Sequence, residues 1–394
     1  LYMPELSEAK RQILASYADE GPQGIAGIDK MIAWQLEVIF SLFESSHQCD
    51  LDLWLDDKML RASAAFIPKA GTAFETFTKV NKGKRPSFAA MIPESGFANA
   101  AMNFDLRELP TLLAQFDDAT VTMYRNIADL RPEDEAAIKA QLKTIAMPGD
   151  LMFSAYVDGQ FPAAMAGLTR LADPAAVKTA YGVIMKILFE RAIAKLQKEG
   201  GADLPPQVAQ AKTIGEFVAF LNGMGAPLGA KIALVDETVE GVSLAGLKVN
   251  VDWPRFAAAT ELDKAEPELF KGVTAALGGK FDLILAMKGD LCAVAFGPNG
   301  TKAASGLVSG KPLGGGEAGL SRLVKEHAGG VTFRFETLLK AIAFIPMLEA
   351  KRELIAKIPA HRPLTNTLDS DGTTTTLSIG LPVDVMQALG ALER

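Results

Sequence analysis

Polar and apolar residues largely alternate along Asp50-Leu51-Asp52-Leu53-Trp54-Leu55-Asp56, the period of a half-buried strand. Asp57-Lys58 predicts a turn, 59–67 the partner strand, and Pro68 its end. Thr72 then predicts the N-cap of a short helix carrying Phe74, Phe77 and Val80. The same strand–turn–strand signal recurs around Asp158-Gly159 (151–157 with 160–165), where Pro162 confines the second strand to an edge. It recurs at Lys288-Gly289-Asp290 (281–287 with 291–296) and at Asp371-Gly372, followed by alternating residues from Thr374 to Ile379. Aspartate and glycine suit the left-handed dihedrals of tight hairpins.

A second unit is a strand running straight into a helix. Asn103-Phe104-Asp105-Leu106 and Asn250-Val251-Asp252-Trp253 share one pattern, in which the aspartate can cap the following helix. The stretch 330–339 is a looser third instance. Asp173-Pro174 opens a long helix to about 199, with Val177, Ala180, Tyr181, Ile184, Ile187 and Leu188 as its apolar stripe; this reads as a helix laid on a sheet. Helical spacing also marks the start of the chain: a short helix after Pro4-Glu5-Leu6-Ser7, then one from about 24 to 45 through Ile25, Ile28, Ile32, Leu36, Ile39 and Phe43.

These signals predict an α+β fold, rich in antiparallel hairpins, with helices packed on one face. The expected organisation is an N-terminal helical segment, 1–48, followed by two α+β halves, 49–203 and 204–394. The halves are expected to be related by internal duplication and joined at Gly200-Gly201-Ala202-Asp203-Leu204-Pro205-Pro206.

Composition narrows the chemistry. The 394 residues carry 40 Lys and Arg against 47 Asp and Glu, a net charge of −7, so no basic excess exists to displace counterions from nucleic acid. Three histidines (His47, His327, His361) and two cysteines (Cys49, Cys292) are too scattered for a local zinc motif. Cys49 and Cys292 could form one disulfide or remain two buried thiols. The most apolar helical stretch, 25–43, contains Asp29, Lys30 and Glu37, which argues against a membrane span. The chain opens Leu1-Tyr2-Met3-Pro4, so a processed start, for example after export, and a start upstream of Leu1 are equal alternatives.

Motifs of known chemistry are weak. Gly314-Gly315-Gly316-Glu317-Ala318-Gly319 is a literal G-x-G-x-x-G, with Glu336 about twenty residues on, as a dinucleotide site would have it. The fingerprint needs a buried strand leading into the glycines, whereas the segment ending at Val308 follows the Pro298-Asn299-Gly300 turn and reads as an antiparallel strand. Ser7-Glu8-Ala9-Lys10 matches S-x-x-K without its partner motifs. Asp369-Ser370-Asp371-Gly372 starts like a calcium loop but has Gly380 where the closing glutamate belongs, and reads as a hairpin turn. Asp50 and Asp52 share a strand face, as solvated residues or as an acidic pair. No catalytic, cofactor-binding or metal-binding residue is assigned, and no cofactor is expected.

The hairpin over 51–68, with Asp56-Asp57 at its turn and Gly71-Thr72 opening the helix, together with the Ala-rich unit over 100–113, resembles segments of uncharacterised exported bacterial proteins. That resemblance implies an extracytoplasmic setting, periplasm or cell surface, with a cytoplasmic one as the alternative; it assigns no activity and transfers no functional residue. Phe numbers 21 and Met 14, against 5 Tyr and 3 Trp, an apolar excess that needs no buried hydrogen-bond partners. The expected function is a non-enzymatic binding or assembly protein. Its partner would be an apolar ligand or a protein surface, self-association included. The alternatives are a hydrolase-like enzyme using scattered Asp, Glu, Ser and Lys, and a dinucleotide binder using Gly314 to Gly319.

Overall fold

A computed structural model describes residues 40–56, 58–93, 96–145, 149–158, 161–200, 213–265, 267, 270–271, 273–274, 278–313, 323–325, 327–342, 352–358, 362–385 and 387. The strands are β1 (Ser46–Leu55), β2 (Met59–Pro68), β3 (Gly96–Asn103), β4 (Asp150–Asp158), β5 (Phe161–Arg170) and β6 (Ala230–Val239), then β7 (Val242–Val251), β8 (Lys280–Lys288), β9 (Leu291–Gly297), β10 (Gly329–Phe333), β11 (Leu364–Ser370) and β12 (Thr375–Pro382). Helices follow as α1 (Ala73–Val80), α2 (Pro110–Ile127), α3 (Pro132–Ile145), α4 (Pro174–Gly200) and α5 (Ile214–Gly225). The later ones, a four-residue helix at Leu262–Ala265 aside, are α6 (Trp253–Thr260), α7 (Gly300–Val308), α8 (Phe335–Ile342) and α9 (Arg352–Lys357).

All strands join one 12-stranded sheet in the order β1-β2-β12-β11-β10-β3-β4-β5-β9-β8-β7-β6, antiparallel at every pairing. The α+β, hairpin-rich class is therefore the observed one. Two runs of the chain have the same element order: hairpin, helix, strand, two helices, hairpin, from β1 to β5 and from β8 to β12. Exchanging β1 with β8, β2 with β9, β3 with β10, β4 with β11 and β5 with β12 reverses the sheet order onto itself, with β3 and β10 at the centre. Beyond β8 the sheet continues with β7 and β6; beyond β1 no further strand pairs among the described residues.

Helices meet both faces of this sheet, where the sequence reading expected one. Ile284, Ala286, Ala293 and Ala295 turn to α7, burying Ala304, Leu307 and Val308. The alternate residues Leu285, Met287 and Cys292 meet Val177 at the start of α4. Runs such as Phe281-Asp282-Leu283-Ile284-Leu285-Ala286-Met287 are apolar at both parities, as a strand with helices on both faces requires, though Leu283 itself stays 46% exposed on the face away from α7. α1 packs Phe74 and Phe77 with Phe66 and Phe104 on the face opposite to that of α7. The rest of α4 lies against helices: Ile184 and Leu188 bury with Val121, Ala128 and Ile138, so the stripe read as sheet-facing serves mainly a helical cluster.

Local chemistry accounts for several boundaries. Thr72 accepts from the Glu75 amide and Asp252 from the Arg255 amide, each as an N-cap. Asp105 does not cap α2; it accepts from the Arg107 amide and guanidinium, and Pro110 starts that helix. That ion pair outweighs the burial that would raise the Asp105 carboxyl, and lowers it to about 2; its side-chain hydrogen bond to Arg107 is the largest influence. β5 is an interior strand, because Pro162 stands before the stretch from Met165 onward that pairs with β9. The segment 300–308, read as a strand, is α7: Gly300 passes so close to the Asp282 carbonyl that a Cβ would sit 2.7 Å from it. Most of the N-terminal segment, 201–206 of the expected joint, Gly314 to Gly319 and His361 lie outside the described residues.

Cys49 and Cys292 are free thiols. They occupy β1 and β9, eight strand steps apart, which at about 4.8 Å per step is roughly 38 Å, far beyond disulfide reach. Burial pushes the Cys292 thiol up to about 11. At mildly alkaline pH it stays protonated, so iodoacetamide is expected to label it only after unfolding. Appreciable labelling in the native protein, read by peptide mass, would contradict this placement.

Candidate functional site

Among the described residues, a cleft and an exposed strand end could each engage a ligand. The first is a cleft of about 580 Å³ between the β6–β7 hairpin, α7 and the loop through Lys311. Its hairpin wall is set by the two-residue turn Glu240-Gly241, where both residues take positive φ (51° and 76°). Its helical wall is fixed at the start of α7. Asn299 donates to the Asp158 carboxylate at 2.9 and 3.2 Å, and the Thr301 hydroxyl and amide donate to Asp282 Oδ2 at 2.6 and 3.2 Å. The loop beyond is tied down by the Leu313 amide to Met91 O.

Glu237 and Glu240 line one wall and Lys302 and Lys311 the other, with Tyr156 and Leu244 between them. Burial, helped by Asp158, pushes the Tyr156 phenol up to about 12, so at neutral pH it can donate a hydrogen bond but not act as a base. Ser305 directs its hydroxyl to Thr301 O at 2.7 Å, which commits the proton to the helix backbone. Acyl transfer needs the opposite, a serine handing its proton to an adjacent base. The cleft can hold a ligand of mixed charge, and Ser305 is not placed to act in it as a nucleophile.

The second feature is the β1 end of the sheet. On one face, Leu51, Leu53 and Leu55 are 59%, 73% and 68% exposed, and Ile379, in register through Ala62, continues the row as an exposed residue. A shallow groove of about 280 Å³ runs between Leu51, Leu53, Ala62, Ala64, Leu377 and Ile379. The other face of the same strands is mostly polar: Asp50 and Asp52 stand in solvent with the half-exposed Trp54, beside a Ser63–Ser378 hydroxyl contact of 3.1 Å.

The sequence motifs do not converge on either feature. Asp50 accepts from Gln48 Nε2, and no group of His, Cys, Asp or Glu suited to a metal occurs among the described residues. Asp371 holds a hairpin turn by accepting from the Thr373 hydroxyl and amide and the Thr374 amide, which lowers its carboxyl. His47 is exposed on β1, and His327 faces Asp369 at 4.0 Å. Glu336, the acid of the dinucleotide fingerprint, is buried in the first turn of α8, and the helix α7 stands where that fingerprint needs a strand. Sequence reasoning missed the cleft because it missed β6 and α7. The Glu240-Gly241 pair between apolar runs was the available signal, weakened because glutamate seldom takes positive φ.

No family model, curated protein or solved structure matches the chain. Among the described residues no helix is long and apolar enough to cross a membrane.

Proposed function

We propose that the protein is a non-enzymatic binding or assembly component that recognises a partner protein surface through the β1 end of its sheet, in an extracytoplasmic setting. The observation that carries this reading is the exposed Leu51, Leu53, Leu55 row, continued by Ile379. Contiguous exposed apolar rows on a folded chain favour interaction sites, whereas isolated apolar residues need no explanation. The groove there is shallow, and at about 280 Å³ it lies below the range of roughly 300–1,000 Å³ that encloses small ligands, which favours a protein surface over an apolar small molecule. The committed proton of Ser305 and the raised Tyr156 phenol weigh against the hydrolase alternative.

The test is a native-state binding measurement with an environment-sensitive apolar dye. Dilute wild-type protein is expected to enhance its fluorescence, and the double variant Leu53→Lys, Leu55→Lys to lose most of that signal with an unchanged melting temperature, since both side chains already stand in solvent. A dilute, monomeric wild-type protein that leaves the dye dark would refute the reading, as would a double variant that still lights it.

A further inference from the structure

The two edges of the sheet are managed differently. At the β6 edge, Val239 and Val242 close the hairpin, so Ile232 turns its backbone outward. Asn222 of α5 meets it there: its amide donates to Ile232 O at 2.7 Å and its carbonyl accepts from the Ile232 amide at 2.6 Å. One outward donor and one outward acceptor are thereby occupied, a way of blunting an edge. The β1 edge has no such cover among the described residues. β1 is 10 residues long and contains no proline and no lysine.

The direction of its free backbone groups follows from the hairpin. The Asp56 amide donates to Met59 O, so Asp56, Trp54 and Asp52 face β2 in the alternating antiparallel ladder. Leu51, Leu53 and Leu55 therefore turn their amides and carbonyls outward, and they are also the residues whose side chains stand exposed on one face. Unpaired backbone and unburied apolar side chains coincide residue by residue. The sheet order adds an independent pointer. β1 holds the place that β8 holds in the corresponding run, and the outer edge of β8 is paired with β7 from Ser243 to Asn250.

We propose that the β1 edge pairs with the β1 edge of a second copy of this chain, antiparallel about a two-fold axis through Leu53, continuing the sheet across the dimer. This inference rests on the proposed reading of the β1 end and names its partner. The register is set by side-chain chemistry. Centred on Leu53, the pairing sets Leu51 against Leu55 of the other copy and Asp52 against Trp54, so the leucines bury one another in a single row. Centred on Asp52, it would oppose two like charges. The remaining acidic pair, Asp50 with Asp56, is relieved because Asp56 is already bound to Arg61 at 2.9 Å. A two-fold contact closes on itself, as most homo-oligomers do, and leaves the Asn222-covered edge outside. A strand edge is small beside the ~800 Å² per partner of a standard interface, so the dimer is concentration-dependent.

Single cysteines placed in a Cys49→Ser background test the register, with sedimentation velocity over a concentration series testing the dimer. Leu53→Cys is expected to form an interchain disulfide on mild oxidation, because paired Cα atoms across such a ladder lie about 5.5 Å apart. Leu51→Cys alone should not, whereas Leu51→Cys mixed with Leu55→Cys should. Leu53→Pro removes an outward amide that the β1–β2 ladder does not use, so it should abolish the dimer and keep the melting temperature. Leu53→Lys serves if that variant fails to fold. Sedimentation as a monomer throughout, or equal cross-linking at 51, 53 and 55, overturns the proposal. A monomer that still binds the apolar dye through Leu53 and Leu55 removes the second copy and leaves partner recognition standing; a monomer that binds no dye removes both.

Discussion

Asp134→Ala is expected to destabilise the protein by about 3–5 kcal/mol, the cost of breaking a buried ion pair from one side. Asp134 is buried near the start of α3 and accepts the Arg191 guanidinium of α4 at 2.6 and 3.2 Å. It also accepts the Arg131 amide at 3.0 Å and the Arg131 Nε at 3.2 Å, so one carboxylate caps α3 and fastens it to α4. Alanine would leave Arg191, itself mostly buried, without its counter-charge. Burial alone would raise the carboxyl, but the hydrogen bonds from Arg131 and Arg191 outweigh it and lower it to about 2. The sign follows: a depressed folded-state value means the contribution is whole above the unfolded value near 4 and is lost as pH falls through about 2. The stability gap between wild type and Asp134→Asn, measured by urea unfolding, should be constant from neutral pH to about 4 and shrink below it. A gap independent of pH down to the acid limit would refute the assignment.

Gly246→Ala should be comparably severe, on the order of 3 kcal/mol or more, by forcing backbone apart in the sheet. Gly246 lies in β7, paired with Val235 on one side and Ile284 on the other, at φ 152°. A Cβ there would sit 2.1 Å from the Leu283 carbonyl oxygen and 3.1 Å from the Ile284 Cα. Both are main-chain atoms, so no side-chain rotation relieves the contact. Gly167→Ala in β5 is the control, since its Cβ would meet Met152 O at an ordinary 3.5 Å. Denaturant midpoints should drop sharply for Gly246→Ala and little for Gly167→Ala; equal effects would show that close approach is not what the glycine supplies.

Legibility in the sequence tracked how local the cause was. The hairpins at Lys288-Gly289-Asp290 and Asp371-Gly372, the Thr72 and Asp252 caps, and the start of α4 at Asp173-Pro174 each follow from chemistry within a few residues, and each was readable. The antiparallel α+β class followed from their sum. Less of the candidate site could be read. Leu51, Leu53 and Leu55 showed as a strand face, but alternation means only that one face differs from the other, and a covered row and an open row look alike. Gly300 and Gly246 carry no local mark, because what fixes them is a carbonyl from β8, 18 residues before Gly300 and 37 after Gly246.

What the sequence by itself determined is the hairpins at Lys288-Gly289-Asp290 and Asp371-Gly372, the Thr72 and Asp252 caps and the acidic, histidine-poor composition, because backbone dihedrals, side-chain capping and charge act between neighbours along the chain. Tertiary structure alone decided the interleaving of β10, β11 and β12 between β2 and β3, and the separation of Cys49 from Cys292. It also decided the covering of one edge by Asn222 and the opening of the other at Leu53. Strand order and edge exposure depend on which distant segment wins each pairing, a competition among contacts of large sequence separation that no local pattern encodes.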